Sequence, residues 1–143
     1  PWPEEGGAEA AYTEKGGYGS YGINNWVENH QGIADNWKSV NVLGASKIPL
    51  FLECAWMNSR PYDTDAPPEY DGDPGIGGWG DIKRFCLNRH NGETNVLFLD
   101  LHADHVGLKQ LWTLKWSRSF KTSNAYTRPS YQWPGWMQKF KNY

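Results

Sequence analysis

Residues 83–106 read KRFCLNRHNGETNVLFLDLHADHV, and the fold turns on how that stretch divides. Positions 95–99, Asn-Val-Leu-Phe-Leu, are too short a run for a helix. They are bounded by Asn91-Gly92 before and by polar residues from Asp100 onward, so they predict a strand. Positions 84–88 have a similar character, and Asn-Gly is the pair that tolerates positive φ in a tight connection. The expectation is a hairpin of 84–88 with 95–99, continued as a meander.

Working outward, 47–57 is the best candidate for a central strand, because Ile48, Leu50, Phe51, Leu52, Ala55 and Trp56 make a nearly continuous apolar run. Pro49 complicates its start, so pairing should begin at or just after it. Residues 16–27 resemble a strand or extended loop, and 29–45 is compatible with a short helix or a broad loop. Leu108, Leu111, Trp112 and Lys115 fall at helical spacings, predicting a short amphipathic helix over 106–116, and 133–140 suggests a last helical turn with Pro134 early in it. Sixteen Gly and nine Pro in 143 residues imply many turns, and nine Trp with eight Tyr suit a loop-rich fold around a small core. The fold class expected is α+β: a small antiparallel sheet with short packed helices and long ordered loops.

The crowding of Asp100, His102, Asp104 and His105 imitates part of a hydrolase zinc motif, H-x-H-x-D-H. The inventory fails it. Asp100 stands where the first histidine belongs, no histidine follows position 105, and only His30 and His90 remain. On a strand, Asp104 and His105 would also face opposite ways. A hydrolase using His90, Asp100, His102 and His105 is thus the weakest of three functional readings, and the chain is expected not to be an enzyme.

The spacing of His90 and Asp100 in RHNGETNVLFLD resembles the H-X9-DG signature of prepilin-like proteins, relatives of type II secretion pseudopilins and type IV pilins. GGYGSYGINNW at 16–26, IPLFLECAWMNSRP at 48–61, VGLKQLWTLKWSRSF at 106–120 and WPGWMQKFKNY at 133–143 are similar to the same proteins. The resemblance implies the globular head of a filament subunit at the cell surface or in the extracellular space. Such heads self-associate, or pair with other pilin-like subunits, and meet the membrane only through a long N-terminal helix. No window of eighteen apolar residues exists here. The expectation is a head without its stalk, with residues 1–15 a flexible remnant and 16–143 a single domain. One departure stands out: Leu101 replaces the glycine of the Asp-Gly pair, so a different turn is expected there.

Cys54 and Cys86, each placed in a predicted strand, are the candidates for a disulfide or for two buried thiols. Asp63, Asp65, Glu69, Asp71 and Asp73 gather oxygen ligands within eleven residues, which makes calcium the candidate cofactor, although the register of an EF-hand is absent. Related major pseudopilins hold calcium in a head loop, but their ligands do not map onto these residues one by one. Charge is uneven: residues 1–80 carry a net −8 and 81–143 a net +6. Those halves either meet between subunits or neutralise each other within one fold. The basic residues are scattered and no recognition motif accompanies them, which disfavours nucleic acid. A structural filament subunit is the first reading, with His90 and Asp100 bracing neighbouring strands. An extracellular carbohydrate- or surface-binding module, drawing on Trp, Tyr and the acidic loop, is the second.

Overall fold

A computed structural model of the chain describes residues 12–14, 17–29, 32–73 and 81–143. Its centre is a mixed, mostly antiparallel, open sheet of five strands: β3 (Tyr21–Asn24), β4 (Pro49–Glu53), β5 (Asn58–Ser59), β6 (Glu93–Phe98) and β7 (Ala103–Gly107), in the order β5-β3-β4-β6-β7. A separate antiparallel pair, β1 (Tyr12–Glu14) with β2 (Gly17–Gly19), precedes it. The rest of the segment expected to be flexible, residues 1–11 and 15, lies outside the described residues.

β4 is central as the apolar run demands, and its ladder with β6 is irregular between Pro49 and Phe51, where proline withholds a donor. Next, residues 54–57 cross over β3 to lay β5 parallel on its far edge. Gly22 makes that crossing feasible: a Cβ there would lie 2.4 Å from the Trp56 carbonyl oxygen and 2.8 Å from Cys54 Cβ. In β6, Thr94, Val96 and Phe98 are buried while Glu93, Asn95 and Leu97 are not, the two-residue alternation of a sheet with one covered face.

The expected hairpin of 84–88 with 95–99 does not form. Ile82–Phe85 is a 3-10 turn capped by Asp81, whose carboxylate accepts from the Lys83 N–H. Phe85, Cys86 and Leu87 are all buried, an unbroken run that a half-exposed strand would alternate. Asn91 and Gly92 do adopt left-handed conformations, with φ of 52° and 93°, and turn the chain into β6. Gly92 is also required sterically, since a Cβ would stand 2.5 Å from the Phe140 ring.

β6 instead pairs with β7, through a turn at Asp100-Leu101. Phe98 accepts from the Leu101 N–H and donates to the His102 carbonyl, each at 2.9 Å, and Leu101 has φ 69°. This is a three-residue loop closing on a left-handed residue, the place glycine usually takes. Leucine adopts this left-handed backbone itself, at the position of the glycine in an Asp-Gly pair.

The amphipathic helix expected over 106–116 is corrected to a 3-10 turn, while the last helical turn expected over 133–140 forms at Gly135–Met137 with Pro134 as its N-cap. Among the described residues helical structure consists of 3-10 turns alone, the longest being Leu108–Thr113, and no helix is long and apolar enough to cross a membrane. Leu108, Leu111 and Leu114, three apart and all buried, share one face of a three-residue-per-turn helix. Residues 29 and 32–44 form turns and loop.

Loops pack well here because tryptophans satisfy them. The indole N–H groups of Trp26, Trp37, Trp112, Trp116 and Trp136 donate to the carbonyls of Pro61, Trp116, Asp65, Leu111 and Pro68, at 2.7–2.9 Å. Each indole buries apolar area and also answers a loop carbonyl that no ladder would reach. The core they build, with Leu52, Val96, Phe98, Phe85 and Met137, covers one face of the sheet.

The other face is partly open among the described residues, with Ile23 and Leu97 half-buried and Phe51 exposed. Ile23 pairs with Phe51, Phe51 with Leu97, and Leu97 with Ala103, so these four side chains form a row across four strands. Phe51 is 42% exposed and stacks on Tyr21 with ring centroids 5.5 Å apart. Both sequence halves contribute strands, and Lys83 meets Asp73 at 3.3 Å, so the two charge blocks interleave within one fold.

Candidate functional site

His90 and Asp100 lie beyond opposite ends of β6, whose six residues span about 20 Å. They do not brace each other. His90 Nε2 lies 2.8 Å from Oε1 of Glu53, at the end of the central strand, and Thr94 Oγ1 donates to Oε2 at 3.0 Å. Glu53 is only 2% exposed, so this carboxylate is taken out of water and answered by two side chains. The Asn95 amide nitrogen lies 3.0 Å from the same ring nitrogen; a half-turn would present its oxygen to the imidazole N–H instead.

At the other end, Asp100 Oδ1 contacts His102 Nδ1 at 2.5 Å and accepts from the His102 N–H at 3.3 Å. The His102 side chain's hydrogen bond holds the Asp100 carboxyl below its usual range. The imidazole lies flat on Phe98, at 4.5 Å between centroids. His105 donates its backbone N–H to Asp104. These polar residues secure the hairpin tip, and His30 lies outside the described residues.

Three acids of the loop are spent on backbone N–H groups and one lysine, within the loop and beyond it. Asp65 Oδ2 accepts from the N–H groups of Tyr62 and Ile82, Asp71 Oδ1 from Asn88, and Asp73 Oδ2 from Glu69 and from Lys83 Nζ. Asp63 is half-buried and Glu69 exposed. These bonds tie the loop to 82–88, and among the described residues no three His, Cys, Asp or Glu are arranged to hold a metal ion. The gathering of the five acids around calcium that sequence proximity suggested is absent among the described residues. Burial raises the Asp65 carboxyl to about 6 and pushes Asp81 up as well.

Cys54 and Cys86 are free thiols, both buried, and both sit just beyond a strand or turn rather than in one. Burial raises Cys54 to about 12 and Cys86 well above its ordinary value. Neither is poised as a nucleophile.

Sequence reasoning missed one concave site. The chain after Leu108–Thr113 folds back to form an open cleft of about 440 Å3, lined by Lys109, Tyr126, Arg128, Tyr131, Trp133 and Tyr143 among others. Tyr126, Tyr131, Trp133 and Trp112 meet edge to face at 5.1–6.1 Å, which fixes the wall. Lys109 is 5% exposed; its ammonium donates to the Phe140 carbonyl and to Asn142 Oδ1 and lies 5.7 Å from the Trp133 ring centre. Burial lowers its pKa. A smaller recess of about 210 Å3, bearing Glu93, Lys139 and Lys141, shares Tyr143 with the cleft. The signal was dispersed: Lys109 precedes Phe140 and Asn142, which cover it, by 31 and 33 residues.

Comparison with protein-family models, with curated proteins and with solved structures yields no match to this chain.

Proposed function

We propose that this chain is the head domain of a structural subunit of a pilus-like or pseudopilus filament, acting outside the cell or at its surface without catalysis. The observation that carries the reading is the open face of the sheet. The row Ile23, Phe51, Leu97 and Ala103, with Tyr21 stacked beside it, leaves apolar surface in water across four strands. Contiguous apolar surface of this kind is characteristic of faces that assembly buries. In a filament, the stalk helix or a neighbouring pilin-like subunit would cover it.

The signature residues support the same reading. His90 secures Glu53 on the central strand, and Asp100 secures the β6–β7 tip, so both do structural work. The expected outcome is ordered helical filaments, seen by electron microscopy of the native full-length material, that are lost when Phe51→Glu is introduced while the sheet's circular dichroism is kept. Full-length protein that stays monomeric under all conditions would sink the reading.

A further inference from the structure

We infer that the C-terminal cleft is a binding site for an acidic saccharide, a pyranose that carries a carboxylate on its ring. The wall supplies rigid aromatic surface in Tyr131 and Trp133, whose edge-to-face contacts hold them in place before anything binds. The volume of about 440 Å3 lies within the range of small-molecule sites. Among the described residues no Asp or Glu side chain lines the cleft, whereas two cations do.

Neither cation forms an ion pair among the described residues. Lys109 is almost fully buried and none of its partners among the described residues is anionic: a carbonyl, an amide oxygen and a ring face. A buried ammonium held this way has been desolvated without ionic compensation. An anion placed in the cleft supplies it. Arg128, exposed at the rim, forms no ion pair among the described residues and presents a planar fork matched to a carboxylate. The side-chain amides of Gln132 and Gln138 also line the cleft and suit hydroxyl groups.

The neighbouring recess has a different character: Glu93 lines it beside Lys139 and Lys141, and although Tyr143 belongs to both concavities, the site inferred here is the cleft alone. A carboxylate fixed to the ring reaches the buried Lys109 while the ring lies on the aromatic wall. A nucleic-acid phosphate is separated from its stacking base by a sugar and is less suited to a single closed cavity. A filament subunit and a monomer would carry this cleft alike, so the inference stands apart from the filament reading.

The test is calorimetric titration of the chain with trigalacturonate at low and at physiological salt, with the Trp133 indole resonance followed in parallel. Binding should perturb that resonance, weaken with salt, and fall by about tenfold when the probe's carboxyls are methyl-esterified. Arg128→Gln, exposed and outside the core, should lose about threefold to tenfold with its melting temperature unchanged, and Lys109→Met at least as much. Absence of binding at millimolar trigalacturonate would overturn the inference. Equal affinity for the methyl ester, equal affinity for an oligothymidylate of the same charge, or an Arg128→Gln variant that binds normally would each do so too.

Discussion

The two ends of β6 solve the same problem, a carboxylate next to a histidine, in opposite environments. Before the strand, Glu53 is buried and the half-exposed imidazole of His90 lies over it, linking the central strand to the approach to its neighbour. After the strand, Asp100 and His102 sit together in solvent, two residues apart, and organise only their own turn. A long-range pair that removes a charge from water constrains the tertiary fold. A local pair in water merely shapes a loop, because solvent screens it and the unfolded chain forms much the same contact.

Removing one partner of the pair at each end separates the two cases most widely. His90→Ala leaves the Glu53 carboxylate with Thr94 as its remaining side-chain partner, and the expected loss is about 2 kcal/mol of unfolding free energy, moderated because water enters where the imidazole stood. Asp100→Ala should move the same urea curve far less. Equal losses would erase the distinction.

A third carboxylate sharpens it. Asp65 is largely withdrawn from water like Glu53, but backbone N–H groups answer it rather than a side chain. Since burial raises Asp65 to about 6, the folded chain retains a proton that the unfolded chain releases above about 4. Its contribution is fully present below that lower value and is lost as pH rises through about 6. Asp65→Asn keeps an acceptor for Tyr62 and Ile82 and cannot ionise. It should stabilise the chain at pH 7 by about 1 kcal/mol, discounted for a carboxyl that water still reaches, with no difference near pH 4. A pH-independent offset between the two proteins would refute this assignment.

What the sequence made legible was local. The short apolar run at 95–99 marked β6, the longer apolar run marked β4, and Asn91-Gly92 marked a turn, since each signal is a property of adjacent residues. The turn signal did not say which elements it joins, and 84–88 was read as a strand although its consecutive buried residues lack alternation. Likewise Leu108, Leu111 and Leu114 recur every three residues, a 3-10 spacing that a search for 3.6 absorbs into a helix. The remaining features depend on pairs far apart in the chain. Glu53 and His90 are separated by 37 positions, and the acidic loop finds its N–H donors as much as 17 positions away. The cleft exists only once the C-terminal segment has crossed back over Lys109.

The smallest effect probes the exposed tip, where Leu101 holds φ 69° with 72% of its surface in water. A left-handed conformation costs an L-residue roughly 1–2 kcal/mol, because Cβ crowds the backbone, while glycine adds about 0.5–1 kcal/mol of unfolded-state entropy. Leu101→Gly should therefore stabilise the chain by about 0.5–1 kcal/mol net. Leu101→Asn should do at least as well, since asparagine tolerates that backbone without glycine's freedom. Leu101→Ala is the discriminating control: it retains the Cβ that causes the strain and removes mainly solvent-exposed atoms, so its melting temperature should match the parent's. If alanine stabilises as much as glycine, the cost at this tip comes from the exposed leucine side chain and not from its backbone.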